Sequence, residues 1–159
     1  MPCSIRFAAP DDAPLIHDFI RALAAYEREP HAVEATPESI RAQLEEETPP
    51  FECMIAEMDG EPVGFALYFT TYSTWRGRPG LYLEDLFVPP ERRGNGYGFA
   101  LLERLAQIAV ERGCGRLEWA VLDWNDLAID FYKRLGAQPM AEWTVYRLTG
   151  DPLERLGRG

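Results

Sequence analysis

The heptapeptide Arg92-Arg93-Gly94-Asn95-Gly96-Tyr97-Gly98, RRGNGYG, stands between an apolar run, LYLEDLFV, and a striped one, FALLERLAQIAV. Glycine at alternate positions gives a backbone that turns tightly or lies close against a ligand. The loop lacks the GxxxxGK(S/T) spacing of a P-loop and carries no lysine for a nucleotide's phosphates. It also departs from GxGxxG, because Phe99 stands where the third glycine belongs. What remains is a glycine-rich turn feeding a helix. Successive unpaired N–H groups and the helix dipole favour an anion at such a start. Taken alone, the heptapeptide fits a ligand-free connector equally well.

Outward from the loop, the pattern alternates between strand and helix. SIRFA reads as an opening strand, and Leu15, Ile16, Phe19, Ile20 and Leu23 then recur at helical spacing. TPESIRAQLEEE reads as a polar helix with Thr36 as N-cap and Pro37 at its first position. FECMIAEM and PVGFALYFTTY are strands joined at Asp59-Gly60, and LYLEDLFV is the next strand. Beyond the loop, Leu102, Leu105, Ala106 and Ala109 stripe a long helix, and GRLEWAVL is a strand. NDLAIDFYKRLG is a helix capped by Asn125 and ended by Gly136, and AEWTVYRL is read as a closing strand. The order predicts an α/β fold in one domain over 1–159, a mixed sheet with helices on both faces.

Composition narrows the function classes. The 159 residues, 47% of them hydrophobic, suffice for one domain with a sizeable core. No apolar run is long enough to cross a bilayer, and no basic-then-apolar leader is seen, so a cytoplasmic protein is expected. Cys3, Cys53 and Cys114 are odd in number and form no CxxC pair, which argues against a disulfide framework or a zinc site. A formal net charge of -10 speaks against nucleic acid as partner. It suits a cationic partner, and equally a soluble surface.

The residues around the loop carry a resemblance. Arg93-Gly94-Asn95-Gly96-Tyr97-Gly98 matches R/Q-x-x-G-x-G/A, the acetyl-CoA pyrophosphate loop of the GNAT superfamily of N-acetyltransferases. RALAAYE, VGFALYFTTYSTWRGRPGLYLEDLFV and DWNDLAIDFYKRLGA further resemble the diamine (spermidine/spermine) N-acetyltransferase family. The resemblance implies a GNAT fold, with a mixed, mostly antiparallel twisted sheet whose central strands, those of LYLEDLFV and RLEWAVL, splay apart around the pantetheine arm of acetyl-CoA. Cofactor contacts then fall on the backbone of Leu86, Phe87 and Val88. The pyrophosphate falls on Arg93 and on the amides of Gly94, Asn95, Gly96, Tyr97, Gly98 and Phe99. Further contacts fall on Glu118, Trp119 and Ala120, and on Asn125, Asp126, Leu127 and Ala128. A homodimer is implied too, with AEWTVYRL as a candidate interface.

Acetyl transfer to an amine needs a base and an acid. A primary amine of pKa ~10 is protonated at neutral pH, and holding it as free amine costs roughly 4 kcal/mol. The resemblance places Glu84 beside the acetyl site, while strand alternation sends Asp85 to the opposite face. A carboxylate of pKa about 4.3 is a weak base for such an amine, so Glu84 is expected to attract the cation and take its proton through water. Tyr132 corresponds to the family's proton donor to the leaving thiolate. Its spacing with Ala128, Phe131 and Leu135 is also that of a packed helix face.

Tyr26 and Glu27 match the family's amine-binding pair, with Glu84 bracketing a cationic chain. Trp75 and Trp124 offer ring faces to an ammonium group. Ser73-Thr74 stands where the animal enzymes have an acidic residue and proline, which weakens recognition of a long polyamine and keeps thialysine-like or diamine acceptors open. The expected function is therefore acetyl-CoA-dependent N-acetylation of a small cationic amine by direct attack in a ternary complex, with no metal. A protein or peptide acetyltransferase and a non-catalytic acyl-CoA sensor are the alternatives, since fold alone does not fix the acceptor.

Overall fold

Runs of β-branched, aromatic and alternating residues form the strands. In this computed structural model, which describes residues 3–159, they are β1 (Ser4–Phe7), β2 (Glu52–Met58), β3 (Glu61–Ser73), β4 (Arg78–Phe87) and β5 (Leu117–Trp119). They make one sheet in the order β1-β2-β3-β4-β5. Every pairing is antiparallel except β4 with β5, which is parallel. Asp59 and Gly60 both take positive φ, 52 and 79°, as a two-residue hairpin turn between right-twisted strands requires.

The helices are α1 (Ala13–Tyr26), α2 (Pro37–Leu44), α3 (Tyr97–Glu111), α4 (Asp126–Arg134) and α5 (Gly150–Gly157). The caps expected from sequence are present. Thr36 Oγ1 accepts from the Ser39 N–H at 3.1 Å ahead of Pro37. Asn125 Oδ1 accepts from the Ala128 N–H at 3.3 Å. Gly136 takes φ 88° and the Ala137 N–H reaches back to Tyr132 O, closing α4 as a left-handed C-terminal turn.

Alternation along β3 sorts the layers. Phe65 and Leu67 join Ile16, Phe19, Leu23, Ile40 and Phe87 in a buried cluster under α1 and α2, with Phe19 and Phe65 stacked at 5.1 Å. Gly64 points the other way, where an added Cβ would meet Leu101 of α3 at 3.4 Å. Helices therefore cover both faces, as expected. The described chain divides into two compact units, one running to Ala120 and one over Val121–Gly159. The first contains the sheet and α1 to α3, the second α4 and α5.

Three elements differ from the sequence reading. AEWTVYRL is not a strand: no described residue pairs with it in a ladder, and the Trp143 N–H bonds instead to Met140 O at 3.1 Å, closing a turn. An alternating pattern supplies a face, and only a partner makes it a strand. Of GRLEWAVL, only Leu117–Trp119 pairs with β4. Residues 150–157, to which the sequence reading assigns no element, form α5, a short helix preceded by Thr149 at its N-cap. Among the described residues no helix is long and apolar enough to cross a membrane.

Candidate active site

The glycine loop has the geometry of an anion cradle. Pro90–Arg92 makes one tight 3-10 turn, Arg93 extends, and Gly94 and Gly96 take left-handed φ of 84 and 81° before α3 begins at Tyr97. Asn95 Nδ2 donates to Arg92 O at 2.9 Å and holds the turn, while Tyr97 is buried beneath it. Ala100 is where backbone pairing resumes, its N–H bonding Gly96 O at 3.0 Å. Among the described residues the amides from Gly94 to Phe99 have no backbone acceptor. A Cβ built on Gly94 or Gly96 meets nothing within 4 Å, so the loop borders open space at both positions. Unpaired donors at a helix start, facing open space, fit a pyrophosphate.

The strand leading into the loop is also partly unpaired. β5 pairs with Leu81–Leu83, and β4 runs on through Glu84–Phe87, where among the described residues no strand lies on that edge. Pairing between these two strands therefore stops at Leu83 and Trp119. Backbone groups left there suit the amides of a pantetheine arm. Phe87 turns its ring into the core, so only its main chain faces the open edge. Gly64 lets β3 approach: a Cβ there would sit 3.0 Å from Phe87 O and 3.1 Å from Val88 Cγ2. Glu118, Trp119 and Ala120 form the end of β5 and the residue beyond it.

A bulge shapes the acidic part of the site. In the β3–β4 register Leu67 pairs with Asp85 and Tyr68 with Leu83, which leaves Glu84 as the extra residue. Alternation therefore fails here, and Asp85 is not segregated from Glu84 as sequence parity predicts. Pairing opposite Leu67, Asp85 faces the α1 side. Burial, then the charges of Glu84 and Glu27, push its carboxyl up from 3.8 to about 7. Burial and Glu84 also raise Glu27, and burial followed by Glu84 and Glu118 raises Tyr82. Glu27 at the end of α1 and Glu84 and Asp85 of β4 thus share one patch, in which the Glu27 and Asp85 carboxyls are held above their ordinary range.

That coupling has a stability signature. A carboxyl raised in the folded state binds its proton more tightly than in the unfolded chain, so its contribution is complete below pH ~4 and lost as pH rises through about 7. Asp85→Asn removes this loss. Without amine present, the variant is expected to melt about 4–8 °C above wild type at pH 8, a gain on the order of 2 kcal/mol, fading towards pH 4. A thermal melt series from pH 4 to 8 measures it, and an unchanged or lower melting point at pH 8 contradicts the coupling.

The remaining expected residues separate into groups. Tyr26, at the end of α1, lies under the Arg93 guanidinium, 4.5 Å from carbon to ring centroid, next to Glu27. Trp75 is 80% exposed at the tip of the β3–β4 hairpin. Glu84 lies six residues past Arg78, roughly 20 Å along an extended strand, so the structure does not bring Trp75 to the carboxylate patch. Ser73, where the family's acidic residue falls, accepts from the Arg76 N–H at 3.1 Å and shapes the turn. In the second unit Asn125 caps α4, Asp126 and Leu127 are exposed, and Trp124 is partly exposed. Tyr132 is half-buried on α4, its ring 5.6 Å from that of Phe131. Sequence reasoning missed Asp85 as a member of the patch. Two adjacent acids interrupting an apolar strand were the signal for a bulge.

A family model described as Acetyltransferase (GNAT) family matches residues 16–137. The chain is similar to thialysine N-epsilon-acetyltransferase of Bos taurus, 42% identical over 96% of this chain and 95% of that one. It is also similar to L-ornithine N5-acetyltransferase of Arabidopsis thaliana, 32% identical over 97% of this chain and 87% of the relative. Among solved structures, an integron cassette protein from the mobile metagenome of V. cholerae superimposes with a TM-score of 0.82. It is 27% identical, over 100% of this chain and 99% of that one.

Proposed function

Because the chain belongs to the GNAT family of acetyltransferases, we propose that it transfers the acetyl group of acetyl-CoA to the terminal amine of a short cationic acceptor, a diamine, polyamine or lysine-like compound. The chain is an N-acetyltransferase. The observation that carries the reading is the shared patch of Glu27, Glu84 and Asp85 beside the unpaired edge of β4. A bound ammonium relieves the mutual repulsion of these carboxylates and so is favoured over a neutral acceptor. Thialysine and L-ornithine, named for the two relatives, are both amino acids with one side-chain amine. Both are short and cationic, which suits an acidic patch better than a bulky or neutral acceptor does.

Acetyl-CoA, when bound, would supply the acetyl thioester that the amine attacks, with coenzyme A thiolate as the leaving group. The chain's residues do the rest. The amides of Gly94 to Phe99 hold the pyrophosphate, and the backbone of Leu86, Phe87 and Val88 orients the pantetheine arm. The main chain of Arg93, with Glu118, Trp119, Ala120 and the start of α4 from Asn125 to Ala128, completes the proposed cofactor contacts. Tyr26 and Glu27 hold the acceptor, with Trp75 available to one long enough to reach the hairpin tip. Glu84 attracts the ammonium and takes its proton through water. Asp85, at about 7, is matched to receive that proton in turn from Glu84 at neutral pH. Tyr132 Oη gives a proton to the departing sulfur.

We extend the reading to one acetyltransferase domain spanning the chain, acting as a homodimer in a reducing cytoplasm without nucleic acid, membrane or metal. The exposed Trp143, Val145 and Tyr146 support residues 141–148 as an interface, the free thiols of Cys3, Cys53 and Cys114 support the compartment, and a net charge of -10 supports the choice of partner. Glu27→Gln and Glu84→Gln test the amine site. Each is expected to raise the amine KM about tenfold or more while the acetyl-CoA Kd stays within about twofold, the amine effect shrinking as salt is added. An unchanged amine KM in both variants refutes it.

A further inference from the structure

We propose that Arg93 is a positioning residue for the amine site, and that its side chain serves the acceptor rather than the pyrophosphate. The inference rests on the acetyltransferase reading above. An arginine opening a phosphate loop is expected to turn its guanidinium to the phosphate, yet this one is already committed. Its Nε donates to Val88 O, at the end of β4, at 2.8 Å. Its guanidinium carbon lies 4.5 Å from the centroid of the Tyr26 ring and 5.7 Å from that of Phe87. Among the described residues no carboxylate pairs with it.

A half-buried cation without a counter-ion is held by ring faces and a carbonyl, interactions that need a planar group with a donor at Nε. One side chain therefore ties the last residue of α1 to the exit of β4, at the point where the loop begins. Tyr26 precedes Glu27, and the exit of β4 follows Asp85. Arg93 thereby sets the position of Glu27 relative to Asp85, the two sides of the acidic patch. Lysine keeps the charge and loses both the fork and the stacking plane.

The test is titration calorimetry on the whole protein, with acetyl-CoA first and then with thialysine and spermidine on coenzyme A-loaded protein. Arg93→Lys is expected to weaken binding of the tighter amine about tenfold while acetyl-CoA affinity changes by no more than about twofold. Tyr26→Leu, which removes the ring face, is expected to cause the same amine loss, and Tyr26→Phe, which keeps it, almost none. The Arg93→Lys/Tyr26→Leu double variant is expected to be no worse than either single one, because the two side chains act as a unit. Circular dichroism confirms folding of each. A loss of acetyl-CoA affinity equal to or larger than the amine loss overturns the proposal, as does no loss at all, or additive losses. Wild-type protein that binds acetyl-CoA but neither amine overturns the amine reading itself. Amine binding that survives Arg93→Lys unchanged overturns the positioning role alone.

Discussion

Tyr132→Phe is expected to lower kcat by ~10²–10⁴ with acetyl-CoA affinity retained, because only the hydroxyl is removed and the ring stays. The residue has two competing explanations, and this substitution separates them. As packing, Tyr132 belongs to the half-buried stripe of α4 with Ala128, Ile129 and Phe131, and its ring lies 5.6 Å from that of Phe131. Phenylalanine preserves all of that, so a packing role predicts near-normal turnover. As acid, the phenol protonates the leaving sulfur, and its loss slows the chemical step. Some activity survives, since a thiol of pKa ~8.5 leaves tolerably without help. The wild-type rate is further expected to fall on the alkaline side, as a phenol of pKa about 10 ionises, and the variant is expected to lose that limb. Single-turnover kinetics from pH 7 to 10.5 give both quantities. An unaltered rate of chemistry in folded Tyr132→Phe leaves the residue in the packing alone.

Gly96→Val is expected to weaken acetyl-CoA binding ~10²-fold, the equivalent of losing one or two hydrogen bonds to charged oxygens. Gly96 takes φ 81°, a left-handed conformation that β-branched residues resist. A Cβ at this position touches no protein atom within 4 Å. The substitution therefore acts by twisting the loop's amides out of line and by filling the space before them, with little effect on the core. Calorimetric titration with coenzyme A, on protein shown to be folded by circular dichroism, reads the loss directly. Affinity within twofold of wild type would remove the pyrophosphate from this loop.

What was legible in the sequence was what is decided locally. Thr36 with Pro37, and Asn125 with Gly136, mark helix ends through bonds to residues three or four positions away, and all four lie where the pattern placed them. The glycine loop was legible for the same reason, since Gly94 and Gly96 announce left-handed backbone and the following stripe announces α3. Relations between distant segments were not legible. AEWTVYRL has the alternation of a strand, but no ladder partner among the described residues. The bulge at Glu84 depends on the register of β3, which parity along β4 does not contain. As a result, Asp85 was assigned to the face away from Glu84 when the two belong to one patch. The contact of Arg93 with Tyr26 joins residues far apart in the chain, and no spacing within either motif encodes it.

The central claim, acetyl transfer from acetyl-CoA to a small cationic amine, is tested most directly by acetyl-CoA-dependent thiol release over a panel of acceptors. Thialysine, ornithine, lysine, short diamines and spermidine stand on one side of the panel. Neutral amines, acidic amino acids, aminoglycosides and N-terminal peptides stand on the other. The patch of Glu27, Glu84 and Asp85 predicts that the highest kcat/KM belongs to a member of the first group, and that it rises between pH 6 and 8 as the Asp85 carboxyl, at about 7, ionises. A peptide or neutral amine with the highest kcat/KM, or thiol release that no amine accelerates, would contradict it.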